Sequence, residues 1–515
     1  MTGVPARPGL GRFLGRSSAA AMALVAAAVG FVLLTAAVTG RPGRVVGADG
    51  WLADRLNALV SPHPVLVQAL RVVTMLGDTP VLGLVVTALA AYLVLRGRAR
   101  LAGYAVVTGL GGLVLTPAAK DLVGRLRPVV DVPLAAVGDP SFPSGHALGS
   151  TVAYGVVLMV AWPLLGRRAR IGAAAATVAL LVAVGATRLA LGVHYLSDVV
   201  GGWMLGGLWL AATAVAFAGW RRAGGLPRSG ALGAGLEPES AADLEPAPGS
   251  RPTHDRHAWQ AAAVLVVGWV LLLGVLLALG RLVTDVLAGT AVIDFSSDVT
   301  RWVALNRTPL TVDLAHAASL PGGTPAVIGQ GLLAAAVALA LLRRWRPVLF
   351  LALVLVGELA LFLTTATIID RTRPQLPGLD PALPPTSSFP SGHLSAALSL
   401  YGAVAVLVLA HARARLPRVL AVAAAVVVPF AVGVSRLHLG VHHPLDLLGS
   451  LVLALPWLLL VRAVLRPGRA APVVGAPLPR ARPVGSGGRA SSSGDRQRRN
   501  GARGSSASSS PCSPC

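Results

Sequence analysis

The feature that most constrains this chain is a recurrence. Apolar runs of about 20 residues, each enough to carry a helix across a hydrocarbon core of ~30 Å, return along most of its length. Twelve spans are predicted, at 17–39, 78–95, 101–119, 144–165, 171–187 and 196–220, then at 258–280, 324–342, 347–366, 391–410, 419–434 and 445–465. A composition of 54% hydrophobic and 13% charged residues, with a mean hydropathy of +0.71, agrees. The expected fold class is all-α: a polytopic membrane protein of about 12 spans, built as two six-helix transmembrane bundles in tandem.

The spans divide six and six around a polar stretch. The expected domains are a six-helix unit at 1–220 and a second at 258–465. Between them, the Pro/Glu-rich stretch 221–257 has little apolar surface to bury and is expected to be a flexible cytoplasmic linker. Residues 466–515 are expected as a disordered basic tail, with nine arginines and one acid, Asp495, in a Gly/Ser/Pro background. No amphipathic or aromatic pattern accompanies that charge, which favours a plain solvated tail over a contact to anionic lipid. The first apolar run is longer than the 7–15 residues usual in a cleaved signal, and it is read as a helix. Cys512 and Cys515 are the only cysteines. A lone CxxC with no second ligand pair is weak ground for metal or redox work, and no disulfide framework is expected.

Arginine placement predicts the orientation. Arg7, Arg12 and Arg16 precede the first span; Arg96, Arg98 and Arg100 lie between the second and third; Arg167, Arg168 and Arg170 between the fourth and fifth; Arg221 and Arg222 follow the sixth. Arg343, Arg344 and Arg346, then Arg413, Arg415 and Arg418, then Arg462 and Arg466 repeat the pattern. All fall on one side, expected to be the cytoplasm, with both termini inside a plasma-membrane protein. The formal charge of +23 is then a topology signal, and no nucleic-acid partner is expected.

The two halves match at a nearly constant offset. Arg127-Pro128 returns as Arg373-Pro374, SFPSGH at 141–146 as SFPSGH at 388–393, and TRLALGVHYLSD at 187–198 as SRLHLGVHHPLD at 435–446. In each half these blocks fall at the ends of spans away from the arginine-rich side. Charges at mid-membrane cost about 2.5–3.5 kcal/mol each; at helix ends they cost far less and can face a lipid headgroup. Lys120 is the only lysine among 44 Lys plus Arg, so a compact ammonium stands at one place alone.

Three cations, Lys120, Arg127 and Arg188, can neutralise a phosphoryl dianion and the charge that develops on its equatorial oxygens. Ser144, with the Gly145 and His146 N–H groups, would add donors at the positive end of a helix. His194 and Asp198 stand i, i+4 on one helical face, so Asp198 can hold one ring nitrogen and leave the other free as a nucleophile. His146, from another helix, is placed to protonate the leaving oxygen. No Asp/Glu/His cluster has metal-ligand spacing, and no metal or other cofactor is expected. His63, His316 and His411 stand alone and are read as interfacial polar residues.

These blocks resemble the signature of the type-2 phosphatidic acid phosphatase family, related to vanadium-dependent haloperoxidases and bacterial acid phosphatases. The pattern is Lys, six residues, Arg-Pro; then Pro-Ser-Gly-His; then Ser-Arg, five residues, His, three residues, Asp. The first half departs only at Thr187, in place of Ser. The resemblance implies a phosphohistidine at His194, support from Asp198, acid catalysis by His146, and phosphate binding by Lys120, Arg127, Ser144, Gly145 and Arg188. It also implies a six-helix transmembrane fold with an outward-facing site. In the second half Arg373, Ser391, Gly392, His393, Ser435, Arg436, His442 and Asp446 are present, but Ala366 replaces the lysine. Arg371, His438 and His443 are the candidates to compensate.

A twelve-span secondary transporter has the same layout, but such proteins bind substrate at the midplane on broken helices. The expected function is hydrolysis of a lipid phosphate or diphosphate in the bilayer, with phosphoryl transfer to another acceptor as the alternative. Ala/Arg/Gly/Val-rich usage suggests a GC-rich bacterial genome. An outward-facing bacterial site favours polyprenyl diphosphate, such as the undecaprenyl carrier, over phosphatidic acid or phosphatidylglycerol phosphate.

Overall fold

The structure, a computed structural model, describes residues 10–40, 44–134, 138–223, 235–247, 258–374 and 387–466, the side chains of 10–21 and 222 excepted. Among these residues all regular structure is helical. The first half contains α1 (Leu10–Thr39), α2 (Arg44–Val60), α3 (Pro64–Thr74), α4 (Thr79–Leu95), α5 (Ala99–Val123), α6 (Gly145–Ala161), α7 (Arg167–Ala190) and α8 (Leu196–Ala223). A short α9 (Ala241–Leu244) lies in the connection between halves. The second half contains α10 (Ala258–Arg281), α11 (Ala291–Leu305), α12 (Pro309–Ser319), α13 (Thr324–Leu342), α14 (Trp345–Ile369), α15 (Gly392–His411), α16 (Arg415–His438) and α17 (Pro444–Leu465).

Among the described residues eleven segments are long and apolar enough to cross a membrane, and α4 makes a twelfth when taken with Pro64–Gly77, from which it bends by 44°. The chain is thus a multi-pass membrane protein, and the twelve expected spans coincide with α1, α4–α8, α10 and α13–α17. Hydropathy did not single out α2, α3, α11 and α12. They are too short or too polar to span, and they join the first long helix of each half to the next. Their buried residues include Asp49 and Asn57 on α2, Thr74 on α3, and Ser296, Thr300 and Ser319 on α11 and α12. These helices bring polar groups to the same membrane end as the repeated motifs.

Both halves belong to one unit, Met1–Arg469. They meet most extensively through α4 and α13, the equivalent helices of the two repeats, as subunits meet across a pseudo-twofold axis. At this contact a side chain on Gly329 would collide with Leu84, so the glycine permits the close helix approach.

The connection departs from its expected flexibility. Residues 224–234 and 248–257 lie outside the described residues, but 235–247 is docked on the arginine-rich ends of the helices. Leu236 and Leu244 are buried in the core formed by Leu93, Leu101, Tyr104, Val156 and Phe217. Tyr92 donates to the Leu244 carbonyl at 2.6 Å, Arg96 Nε to that of Asp243 at 2.8 Å, and Arg343 to that of Glu245 at 2.9 Å. Asp243 pairs with Arg98, and Glu239 with Arg221. Two leucines and a set of arginine clamps hold a segment whose average composition looks unfoldable. The expected basic tail, with Cys512 and Cys515, lies beyond the described residues apart from Arg466.

Candidate active site

Local sequence explains how each half presents its histidine and arginine. Helix α7 ends at Gly192, which adopts a left-handed φ of 71°. The Gly192 N–H bonds Leu189 and the Val193 N–H bonds Arg188, the double closure of a Schellman cap. That cap turns the chain so that His194 follows within one turn of Arg188. Gly440 repeats the device with φ 69° and the same pair of bonds, to Leu437 and Arg436. The SFPSGH loop is pinned to the start of α8, since the Ser144 N–H donates to the Asp198 carbonyl at 2.9 Å.

In the first half the predicted residues converge. His194 Nδ1 lies 3.3 Å from Asp198 Oδ2, and Arg127 Nη1 lies 3.3 Å from His194 Nε2. A guanidinium can only donate, so Nε2 is the acceptor and Nδ1 carries the proton toward Asp198. The free lone pair therefore sits on Nε2, beside a cation. Arg127 is fixed by the Val193 carbonyl at 2.6 Å, and Arg188 by Thr74 at 3.0 Å. His146 Nε2 donates to Asp78 Oδ1 at 2.7 Å. Burial lowers the His194 pKa to about 4, with Arg127 and Arg188 adding to that effect and Asp198 opposing it.

Two observations indicate an oxyanion cradle. Asp139 binds Lys120 through one carboxylate oxygen and Arg127 through the other, the latter at 2.8 Å, so these two cations can share one anion. Burial raises the Asp139 pKa, but the bonds and charges of Lys120 and Arg127 outweigh it and set the value at about 2. In addition, Ser144 Oγ and Arg188 Nε are buried with no hydrogen-bond partner, and so are their counterparts Ser391 Oγ and Arg436 Nε. Both repeats leave the same two donors uncommitted. Gly145 has no room for a side chain, which would meet Thr116 at 2.9 Å. Among the described residues no group of three or more His, Cys, Asp or Glu is placed to hold a metal ion.

Sequence reasoning missed four participants in the first half. Asp78 stands at the break before α4, where an Asp would ordinarily cap the helix, yet its side chain makes no cap and goes to His146. Arg125 bonds Asp198 and Ser197 at 2.6 Å each, and Asp49 at 2.9 Å. Asp49 in turn accepts the Ser197 N–H at 3.1 Å. Asp139 is the fourth. Only Arg125 left a readable sign, because RLRP at 125–128 returns as RTRP at 371–374.

The second half assembles differently. His442 Nδ1 donates to the Ser388 carbonyl at 2.7 Å and stands 3.7 Å from Asp446. Burial lowers the His442 pKa as it does that of His194. Arg373 bonds the Val441 carbonyl at 3.0 Å, and Arg436 bonds Ser319 at 2.9 Å. None of the expected substitutes for Lys120 replaces it. Arg371 is paired with Asp446, as Arg125 is with Asp198. His438 is bonded to Thr311 at 3.0 Å; the backbone N–H of His443 donates to Asp446 at 2.7 Å, and burial lowers the pKa of its ring, so it offers no second cation. Gly323 occupies the place of Asp78, and no carboxylate reaches His393 among the described residues. Phe362 stands where the first half has Thr116, its ring against Gly392.

The model of the PAP2 superfamily matches this chain twice, at residues 100–222 and 332–468. The chain belongs to the PAP2 superfamily. The two matched regions contain every site residue predicted from sequence, whereas Asp49, Thr74 and Asp78 lie outside them. Phosphatidylglycerophosphatase B of Bacillus subtilis (strain 168) is 35% identical to this PAP2 protein over 96 residues, 18% of this chain and 46% of that relative. The chain thus matches less than half the length of that curated relative. The crystal structure of a transmembrane PAP2 type phosphatidylglycerolphosphate phosphatase from Bacillus subtilis aligns at 26% identity, over 37% of this chain and 93% of that one, with a TM-score of 0.34.

Proposed function

We propose that this protein is an integral-membrane phosphatase for lipid phosphate or diphosphate headgroups, and that its first repeat carries the reaction. The observation that supports this most directly is the His194 tautomer: Nδ1–H faces Asp198 while the Nε2 lone pair faces Arg127. In this reading Nε2 attacks phosphorus as the bond to the lipid oxygen breaks. The lipid oxygen takes the proton that His146 holds toward Asp78. Water then attacks the phosphohistidine, giving its proton back to His146, and inorganic phosphate leaves as His194 is regenerated. Lys120, Arg127 and Arg188, with Ser144 and the Gly145 N–H, hold the phosphoryl oxygens and the charge they gain in the transition state.

The functional units on this reading are 1–220 and 258–465, with 221–257 and the tail on the cytoplasmic side and both sites outside. The arginine-rich helix ends support that orientation. Polyprenyl diphosphate, phosphatidic acid and phosphatidylglycerophosphate are the substrates to compare, the last because a relative is named for it. The purified protein should release phosphate from at least one of them in the presence of chelator, and His194→Ala should not. Full release by His194→Ala contradicts the mechanism. In intact cells an impermeant thiol reagent should label Ala136→Cys and spare Ser250→Cys; the opposite pattern reverses the orientation.

A further inference from the structure

We infer that the second repeat is a receptor for a terminal phosphate group, which it binds and does not cleave. This rests on the reading of the first repeat as a phosphatase. Position by position, what the second repeat keeps is what holds a ground-state oxyanion. Arg436 and Ser391 are buried, with Arg436 Nε and Ser391 Oγ uncommitted. Arg436 is braced by Ser319 as Arg188 is by Thr74, and Arg373 by the Val441 carbonyl as Arg127 is by that of Val193.

What the second repeat lacks includes groups that the transition state needs. The cation that stands at Lys120 is replaced by Ala366. The carboxylate that keeps a proton on the acid histidine is gone at Gly323. His442 is held by a neutral carbonyl at 2.7 Å, with Asp446 at 3.7 Å, so its positive charge on attack would be less well supported. Phe362 places an aromatic ring where Thr116 presents only a methyl group. Loss of interactions specific to the transition state, with retention of those that bind substrate, gives affinity without turnover.

The shared ligand chemistry is a terminal phosphate with two or more free oxygens, either on a lipid or as the inorganic phosphate released by the first repeat. The full chain in detergent is titrated separately with a non-hydrolysable phosphonate analogue of phosphatidic acid and with inorganic phosphate, counting sites per chain. The phosphonate lipid should fill two sites in the wild type, one in Arg188→Ala, and none in Arg188→Ala/Arg436→Ala. Ser391→Ala, a milder change, should weaken the site that remains in Arg188→Ala by about tenfold. A remaining site that takes inorganic phosphate within about threefold of the lipid identifies free phosphate as the ligand; a clear lipid preference identifies the headgroup. Either result supports the inference. A single site in the wild type, lost in Arg188→Ala, overturns it. Lipid hydrolysis at the remaining site of Arg188→Ala, abolished by His442→Ala, overturns the claim of no turnover. Wild-type protein that fills two sites but releases no phosphate from any lipid would instead contradict the phosphatase reading.

Discussion

The two repeats share a backbone plan and most of a motif, and they part at the residues around it. Each ends its fifth span in the same glycine cap, each pins a Ser-Gly-His helix start to the last helix of its half, and each pairs an arginine with the buried aspartate. The first adds Lys120, a carboxylate on its acid histidine, and a histidine–aspartate contact of 3.3 Å. The second has Ala366, Gly323 and a contact of 3.7 Å. Burial lowers the pKa of both nucleophile-position histidines, so the direction of that shift does not separate the repeats. The partners do. A motif can thus persist nearly whole while one of its cations and the groups around it are replaced.

The largest expected effect comes from the histidines themselves. His194→Ala should lower phosphate release by at least on the order of 10⁴-fold, and His442→Ala by less than about tenfold. Equal losses from the two would dissolve the distinction. Lys120→Ala should cost about 10²–10³-fold, as for loss of one strong oxyanion donor. Because the second repeat also lacks the acid partner and carries Phe362, Ala366→Lys alone should recover little in a His194→Ala background. Ala366→Lys with Gly323→Asp and Phe362→Thr should recover more, measured as phosphate release above the His194→Ala baseline.

A smaller effect is expected at Asp78, which acts through His146. Asp78→Asn should lower kcat by about tenfold to a hundredfold, part of what a general acid contributes, with little change in KM and an altered alkaline limb of the pH profile. An effect on KM alone would mean that Asp78 only shapes the pocket. The mildest test is the acid limb. A lowered pKa keeps His194 neutral to lower pH, so kcat/KM should hold from pH 7 to about 5 and fall as pH approaches about 4. A fall centred near 6.5 would place His194 in water.

Much of this was legible before the structure. The spans, the duplication and the convergence of Lys120, Arg127, Ser144, His146, Arg188, His194 and Asp198 follow from hydropathy and from short local motifs. Asp49 and Asp78 were not legible, because one sits on a helix too polar to register as a span and the other looks like an ordinary helix cap. The same limit hid the failure of Arg371 as a lysine substitute, since its partner is Asp446, 75 residues on. Leu236 and Leu244 show the reverse case, where average polarity concealed two apolar anchors.

On the proposed reading only the first repeat forms a covalent intermediate. The most direct measurement is to quench the wild-type protein in base during turnover of a ³²P-labelled lipid phosphate, digest it, and map the base-stable label by mass spectrometry. Phosphate is expected on the peptide containing His194 and none on that containing His442. Label on His442, alone or together with His194, would contradict that reading.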